Sequence, residues 1–327
     1  CPPHFAMRYG TLLEMARIAR EVKPDLVHAH YLRHFGLVAG LHNRLFGPVP
    51  TLLSGWGSDI FDARTRSMRR MIRKSVEWSD AVTVTSPSAA EVLTSRFGVE
   101  PVKVRVINWG IDLSVFRRRT EDDGILTRLR LDIDAGTRIV LSPRTVAPRY
   151  RIHRILEGFA SALTRIHHAS LVIVCGGRAQ EEYVRGLIDL AQRRGVSERV
   201  RLLHVAQSPE EMASLYSIAD ATVSIPVSDQ FGACVVEAMA CGSVPIVARI
   251  RAYHQYLRDG ENALFVDAEA PEDIGEAMSQ AMLDDGLRTR CRSANPALVR
   301  KHEDWVKNAL RMEHLYGELI RARGKAN

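Results

Sequence analysis

The sequence has few aromatic residues, 6% of 327, and no long apolar run. Its longest apolar runs, at 169–175 and 244–248, last five to seven residues. A membrane-spanning helix needs ~18 such residues, so we expect no transmembrane segment. Hydrophobic residues at 46% and charged residues at 25% are typical of a globular protein and exclude a disordered or collagen-like chain. The length suits about two domains.

Cysteine is also scarce, and the five cysteines are scattered and odd in number: Cys1, Cys175, Cys234, Cys241 and Cys291. They form no disulfide framework, and no spacing of histidine, cysteine or aspartate is typical of a metal site. The start of the sequence lacks the basic region and apolar core of a signal peptide. We therefore predict a reducing, cytoplasmic setting and no metal.

Lysine is nearly absent, with six lysines among 45 basic residues, yet the net charge is +7 and the pI about 9.3. A basic surface suits nucleic acid, anionic lipid or small anionic substrates, and net charge does not choose among them. No basic tract interleaved with aromatic residues and no nucleic-acid-binding motif is present. We therefore expect no nucleic-acid partner.

Short β-branched runs alternate with segments of helical period, which predicts an α/β fold with doubly wound parallel sheets. The expected strands are 26–29, 51–53, 81–85, 104–107, 139–142, 171–175, 200–203, 221–225, 245–248 and 263–266. Ten strands are too many for one ordinary sheet of this kind, so we expect two Rossmann-like domains.

The domain division is placed in the polar stretch 117–136. It gives an N-terminal domain at 1–120, a C-terminal domain at 121–302 and a closing helix at 303–327 that crosses back to the first domain. Ligands bind at the carboxyl ends of parallel strands, so the two domains are expected to face one another across a cleft. The first domain offers four strands where about six are usual, so we expect its initial strands to be missing.

The densest chemistry lies between Ser228 and Pro245, in SDQFGACVVEAMACGSVP. We predict a helix from Gly232 to Ala240, whose amino end offers free N–H groups to a diphosphate. Asp229 lies in the preceding loop and Glu237 lies inside this helix, so both carboxylates can face one ligand at different depths. Acids near a helix start also stabilise its dipole without any ligand.

This stretch resembles the signature of retaining GT-B glycosyltransferases of family four. The matching residues are Phe231, Gly232, Glu237, Ala238, Met239, Ala240, Cys241, Gly242 and Pro245. The resemblance implies a nucleotide-sugar donor, with Glu237 on the ribose hydroxyls. It also implies that the first acid and the N–H groups around Phe231, Gly232 and Ala233 hold the transferred sugar. Asp229 stands where the family has glutamate.

The same resemblance extends to the residues expected to bind the donor nucleotide. Arg144 follows the first strand of the second domain, and Arg149 stands where the family has lysine; both are implied to neutralise the diphosphate. Arg151 is a competing candidate for the second cation. The segment of Cys175, Gly176 and Gly177 resembles the family's Gly-Asp-Gly turn. The segment of Leu203, His204 and Val205 resembles the turn whose main chain reads the base.

The first half resembles the acceptor side of the same family. His30 ends an expected strand and is a candidate catalytic residue near the transferred sugar or acceptor, with a structural strand-end histidine as the alternative. Trp56 stands where many relatives have histidine and, with Asp59, is expected to contact sugar or acceptor. Trp109 interrupts a segment that resembles the family's hinge.

A basic segment at 64–76 carries six cations in eleven residues and no acid, interleaved with Met68, Met71, Ile72 and Val76. The cations are Arg64, Arg66, Arg69, Arg70, Arg73 and Lys74. Such a helix favours an anionic membrane surface, so the protein is expected in the cytoplasm or on the inner face of the cytoplasmic membrane. The alternative is a solvated helix face.

The resemblance implies a retaining, hexosyltransferase-type enzyme without a required cofactor or metal. It would move a sugar from a UDP- or GDP-type donor to a hydroxyl of a glycan or lipid-linked intermediate, in bacterial surface polysaccharide or glycolipid synthesis. Two alternatives are a degenerate GT-B subunit that binds nucleotide or a partner, and a nucleotide-sugar epimerase. The departures at Trp56, Arg149 and Asp229 motivate the first alternative.

Overall fold

The computed structural model describes residues 4–46, 49–176, 179–205, 207–230 and 232–324. These residues divide into two compact units. The first runs up to Trp109 and resumes at Val306, and the second is Gly110–Trp305. One unit is therefore interrupted in sequence by the other.

The described residues form ten strands and thirteen α-helices. The strands are β1 (Val27–His30), β2 (Thr51–Ser54), β3 (Ala81–Val84), β4 (Val104–Val106), β5 (Arg138–Ser142), β6 (Ala169–Val174), β7 (Val200–Leu203), β8 (Ala221–Ser224), β9 (Val244–Ala248) and β10 (Leu264–Val266). The helices are α1 (His4–Val22), α2 (Phe35–Phe46), α3 (Ser58–Phe61), α4 (Arg66–Glu77), α5 (Pro87–Phe97), α6 (Glu121–Arg130), α7 (Ile152–Ala162), α8 (Glu181–Arg193), α9 (Pro209–Ile218), α10 (Ala233–Cys241), α11 (Pro271–Leu283), α12 (Asp285–His302) and α13 (Trp305–Gly324). Short 3-10 helices lie at Pro101–Lys103, Pro148–Tyr150, Ser197–Arg199 and Arg251–Gln255.

The first unit is built on a parallel sheet in the order β1-β2-β3-β4. Its central strands β2 and β3 are buried throughout, as expected for parallel strands covered on both faces. The closing helix α13 belongs to this unit from Val306 onward. Met312 and Leu315 pack on Leu52, Ala81 and Ile107, so the last helix completes the core of the first sheet.

The second unit is built on a parallel sheet in the order β10-β9-β8-β5-β6-β7. The chain starts at β5, moves outward to β7, and then returns to the other side of β5 at β8. The strand order therefore reverses between β5 and β8. In open parallel sheets, ligands bind beyond the carboxyl ends of the strands at such a point. The loops after β5 and β8 are thus the place to look for the site.

The α/β architecture and all ten expected strands are confirmed, with strand ends that differ by one or two residues. Each strand is short, rich in β-branched residues and ended by polar or turn residues, so the local pattern and the packing agree. The expected helix after Asp229 also forms. It starts at Ala233 with Gly232 as its N-cap.

The polar stretch 117–136 differs from its expected form as a simple break between domains. It contains α6, which Thr120 and Asp123 begin with a reciprocal capping box. Residues just before it belong to the second unit, because Ile111 is buried and its N–H donates to Glu303 O at 2.8 Å. The division between the two units therefore lies at Gly110 and Val306. The division predicted from the sequence lies after residues 120 and 302.

No helix among the described residues is both long and apolar enough to span a bilayer.

Candidate active site

Arg144 and Asp229 meet where the strand order of the second sheet reverses. Arg144 follows β5 and Asp229 lies in the loop after β8, and these two strands are neighbours. Arg144 Nη2 donates to Asp229 Oδ2, and Arg144 Nε donates to Ser224 Oγ at 3.0 Å. Each side chain of the ion pair is 16% exposed. A largely desolvated, charge-assisted pair holds both groups in fixed positions.

A buried tyrosine also belongs to this hydrogen-bond network. Tyr253, in the short helix Arg251–Gln255, is fully buried and donates its hydroxyl to Asp229 Oδ2 at 3.0 Å. Burial raises the pKa of Tyr253 to about 12, so the hydroxyl keeps its proton at neutral pH. Asp229 thus accepts hydrogen bonds from both Arg144 and Tyr253. The sequence analysis missed Tyr253, because no local pattern marks it and its partner lies 24 residues away.

Gly232 lies in close contact with the ion pair. A Cβ at this position would overlap the guanidinium of Arg144 and lie 2.6 Å from Asp229 Oδ2, so these two side chains would have to shift. Its φ of −62° is open to any residue, so contact and not conformation disfavours a larger residue here. The first turn of α10, starting at Ala233, therefore lies directly beside the ion pair, and its N–H groups supply the positive end of the helix dipole. Phe231 lies outside the described residues.

Glu237 is held one turn further into α10. Its Oε2 accepts a 2.7 Å hydrogen bond from the hydroxyl of Tyr216, a fully buried residue of α9. Burial raises the pKa of Glu237, while the hydrogen bond from Tyr216 and the charge of Arg144 act in the opposite direction. Tyr216 is a second residue that the sequence analysis missed.

Both cations predicted to bind the diphosphate, Arg144 and Arg149, lie near the ring of Tyr150. The guanidinium of Arg144 lies 5.2 Å from the centre of the Tyr150 ring, and that of Arg149 lies 5.6 Å from it. Arg151 instead pairs with Glu269 at 2.7 Å. Arg149 is exposed and has no ion pair among the described residues. Of the two candidates for the second diphosphate cation, Arg149 and Arg151, it is therefore the one without an acidic partner there.

Gly176 and Val205 lie further along the same edge of the sheet, after β6 and β7. Gly176 adopts a φ of +31°. Val205 is 75% exposed, and its carbonyl accepts a 2.7 Å hydrogen bond from Gln207 Nε2. The structure thus joins Arg144, Asp229, Gly232 and Ala233 in one place, with Glu237 and Arg149 adjacent, and sets Gly176 and Val205 on neighbouring strand ends.

His30 lies in the first unit, at the end of β1. Trp56 Nε1 donates to His30 Nδ1 at 3.1 Å, so this nitrogen carries no proton and the neutral ring holds it on Nε2. Burial lowers the pKa of His30, which also favours the neutral ring. Its neighbour His28 contacts the hydroxyls of Tyr316 and Ser54 at 2.7 and 2.8 Å.

Asp59 does not offer the expected surface contact. Its side chain is 1% exposed and accepts N–H groups from Leu32 at 2.7 Å and Trp56 at 2.9 Å. A carboxylate committed to two backbone donors fixes the loops around it. Asp59 is therefore a residue that positions Trp56.

Most of the basic segment at 64–76 lies in the helix α4, as expected, but two of its apolar residues face inward. Ile72 and Val76 are buried in the core of the first unit. Lys74 pairs with Glu77 at 2.7 Å, and Arg69 donates to Ala63 O at 3.3 Å. The remaining cations are exposed: Arg64, Arg66, Arg70 and Arg73. The exposed side chains of α4 are thus mainly basic, with Glu77 as the one exposed acid.

An open groove of about 890 Å³ lies in the first unit between α1, β1 and α2, with His30 and Tyr31 among its lining residues. Within the described ranges, no group of three or more His, Cys, Asp or Glu side chains has a metal-binding arrangement.

Two family models match the chain. The family described as "Glycosyl transferases group 1" matches residues 127–297. The family described as "Glycosyltransferase Family 4" matches residues 1–115. The first match contains Arg144, Asp229 and Glu237 and the network around them.

Curated relatives include inositol phosphate glycosyltransferases. The D-inositol 3-phosphate glycosyltransferase of Corynebacterium urealyticum is 25% identical over 329 residues, covering 97% of this chain and 77% of the relative. That of Corynebacterium jeikeium is 26% identical over 333 residues, covering 97% of this chain and 78% of the relative.

Solved structures share the fold. Anabaena Alr3699/HepE in complex with UDP and glucose superposes with a TM-score of 0.82 at 17% identity, covering 94% of this chain and 81% of that one. Sucrose-phosphate synthase of Thermosynechococcus elongatus gives a TM-score of 0.83 at 21% identity, covering 98% and 80%. The expected GT-B class, with two parallel sheets, is confirmed.

Proposed function

Because this chain belongs to the glycosyl transferases group 1 family and is a glycosyltransferase, we propose that it takes its sugar from a nucleoside-diphosphate donor, with UDP as the first candidate. The observation that carries the proposal is the pairing of Arg144 with Asp229 beside the start of α10. A guanidinium and a helix amino terminus in one place suit a diphosphate next to a sugar.

Each residue then has a role in binding the donor. Glu237, fixed by Tyr216, accepts hydrogen bonds from the ribose hydroxyls. Arg144 and the exposed Arg149 neutralise the diphosphate. Asp229 accepts a hydrogen bond from a hydroxyl group of the transferred sugar. The UDP seen with the Anabaena protein supports UDP as the first nucleotide to try.

We further propose transfer with retention at the anomeric carbon. The bond from that carbon to the diphosphate oxygen breaks, and the negative charge that builds on the diphosphate meets preorganised cations and N–H groups. The leaving oxygen accepts the proton of the acceptor hydroxyl, which attacks from the same face. Asp229 already accepts hydrogen bonds from Arg144 and Tyr253, which disfavours it as a nucleophile.

The acceptor hydroxyl is proposed to belong to a glycan or a lipid-linked intermediate of surface polysaccharide or glycolipid synthesis. The basic face of α4 supports contact with an anionic membrane surface. Because Ile72 and Val76 of α4 are used in the core, this contact would be mainly electrostatic, at about 1 kcal/mol for each well-placed cation.

The donor proposal is tested by thermal-shift titration with UDP, GDP, ADP, dTDP and their sugars, with and without a chelator. We expect one nucleotide series to raise the melting temperature independently of chelator, and Glu237→Ala to abolish that rise. Glu182→Ala, an exposed glutamate of the same unit, is the control and should keep it. Stabilisation by no nucleotide would favour a degenerate subunit over an enzyme.

The membrane proposal is tested by flotation with anionic liposomes at low and high salt. We expect retention at low salt and its loss in Arg70→Glu/Arg73→Glu. The matched control is Arg185→Glu/Arg193→Glu, which reverses two exposed charges on α8. Equal loss in both double variants, or no retention of the natural protein, would leave α4 as a solvated face.

A further inference from the structure

Three aromatic rings stack at the end of the first sheet. Trp56 and Trp109 have ring centres 5.6 Å apart and planes inclined by 17°, and Tyr31 and Trp56 are 5.9 Å apart at 24°. Tyr31 follows β1, Trp56 follows β2, and Trp109 follows β4 by three residues. We call Tyr31, Trp56 and Trp109 the aromatic stack. It forms where the carboxyl ends of parallel strands converge, which is where such sheets bind ligands.

The stack is exposed, and holding it in place costs stability. Tyr31 is 42% exposed and Trp56 is 44% exposed, although aromatic side chains of this size gain most from burial. Tyr31 also adopts a φ of +70°, a left-handed conformation that disfavours a bulky residue. Exposed aromatic side chains on strained backbone are typical of a binding surface, because neither the exposure nor the strain stabilises the fold.

The imidazole in contact with the stack is uncharged. His30, with ring centres 5.6 Å from Trp56 and 5.5 Å from Trp109, is neutral because Trp56 donates to its Nδ1. Asp59 is buried and accepts N–H groups from Leu32 and Trp56; burial raises the pKa of its carboxyl, while these hydrogen bonds and the charge of Arg33 act in the opposite direction. The surface therefore combines apolar ring faces with a polar rim that includes His30 Nε2–H and the Tyr31 hydroxyl.

We propose that the aromatic stack binds an uncharged sugar ring of the acceptor. A pyranose has a face of C–H groups that packs on an aromatic plane, and a rim of hydroxyls that suits neutral donors and acceptors. A phosphate group would gain little from a neutral imidazole and ring faces. The inference rests on the proposed function. It specifies the acceptor as a glycan that binds to the aromatic stack through an uncharged sugar unit.

Tryptophan fluorescence tests the proposal directly. The chain has four tryptophans, so Trp78→Phe/Trp305→Phe leaves only the two of the stack. This variant is titrated with the methyl glycosides of glucose, galactose, mannose and N-acetylglucosamine, and with inorganic phosphate, into the millimolar range. We expect a saturable change in emission with at least one glycoside and none with phosphate. No change with any glycoside, or an equal change with phosphate, would overturn the proposal.

Kinetics separate a binding role from a structural one. With the glycoside that changes the emission as acceptor, Trp56→Ala should raise KM about tenfold and change kcat far less, since one lost stacking contact is worth about that factor. Trp305→Ala removes a tryptophan of similar exposure, 47%, from the second unit and should leave acceptor KM unchanged. An equal rise in both variants would contradict a specific acceptor contact.

Tyr31→Gly provides a second, independent variant. Glycine adopts the left-handed conformation freely, and this relief offsets the entropy that glycine adds to the unfolded chain, so the melting temperature should change little while acceptor affinity falls. Full acceptor affinity in this variant would exclude Tyr31 from the binding surface. Stabilisation of the same samples by UDP, GDP, ADP and dTDP distinguishes failure of the acceptor inference from failure of the proposed function. Stabilisation of the natural protein by none of these nucleotides overturns the proposed function, whereas nucleotide binding without any glycoside response overturns the acceptor inference alone.

Discussion

The hydroxyl of Tyr216 donates a 2.7 Å hydrogen bond to Glu237 Oε2 from a position that is fully buried. The Tyr216 ring also meets Phe116 edge-on, with ring centres 6.4 Å apart. The carboxylate of Glu237 is therefore fixed on one side by a residue that water does not reach. An acidic side chain held in this way is preorganised to accept hydroxyl groups from a ligand.

Tyr216→Phe should weaken donor binding and shift the pH dependence of the reaction. Burial raises the pKa of Glu237 and the Tyr216 hydrogen bond lowers it, so removing the hydroxyl raises that pKa further. The acidic limb of the kcat/KM profile should move to higher pH, and donor KM should rise several-fold. Tyr183→Phe, which removes a tyrosine hydroxyl bonded to His153, is the control and should leave the profile in place.

Gly232→Ala should disrupt the donor site while a matched glycine change should not. The new Cβ would overlap Arg144 and crowd Asp229, so the pair must separate, at a cost of about 1–3 kcal/mol. UDP-dependent stabilisation should be lost. Gly186→Ala is the comparison, because a Cβ there meets nothing within 4 Å on α8 and should stabilise the helix by about 0.5–1 kcal/mol. Retention of UDP binding in Gly232→Ala would contradict the assigned site.

The substitutions Arg149→Ala and Arg151→Ala should affect UDP affinity differently. Arg149 is exposed and rests on Tyr150, whereas Arg151 pairs with Glu269. We expect Arg149→Ala to weaken UDP binding about tenfold and to reduce its salt dependence, as for loss of one charged phosphate contact. Arg151→Ala should leave UDP affinity near that of the natural protein. The reverse order, measured by calorimetric titration, would assign the diphosphate cation to Arg151.

The first unit should lose stability in mild acid through His28. Burial, and then repulsion from His30 once that ring is protonated in acid, lowers the pKa of His28 from 6.5 to about 4. The unfolded chain therefore binds a proton between these values that the folded unit does not. Stability is fully present above pH 6.5 and is lost as pH falls toward 4, by about 2 kcal/mol after allowance for partial solvent access.

His28→Gln tests this pH dependence. Urea unfolding between pH 7 and pH 4 should give a shallower decline of the free energy of unfolding in the variant, because glutamine keeps a polar group near Tyr316 and Ser54 without titrating. Parallel declines in both proteins would assign the acid sensitivity to other groups, among them His30, whose pKa burial also lowers.

Local patterns predicted the strands because each is a short β-branched run whose burial in a parallel sheet agrees with its composition. The helix after Asp229 was predicted for a similar reason, since its apolar residues and its terminal Gly242 all lie within one segment. Gly242 ends the helix in the left-handed conformation, with φ of +85°, as a glycine after a helix commonly does.

Contacts between distant segments were beyond the reach of the sequence. Tyr253 meets Asp229 across 24 positions and Tyr216 meets Glu237 across 21, and neither tyrosine lies in a recognisable motif. Asp59 was misread for the same reason, because its backbone partner Leu32 is 27 positions away. Only the packed structure reveals that these polar groups are mutually satisfied.

The return of α13 to the first sheet has a consequence for synthesis on the ribosome. The second unit is continuous from Gly110 to Trp305, so its whole chain emerges before the segment that contributes Met312 and Leu315 to the first core. Until then, the apolar surface of Leu52, Ala81 and Ile107 lacks its cover. The second unit can therefore complete its folding first, whereas the core of the first sheet is complete only after α13 has been translated.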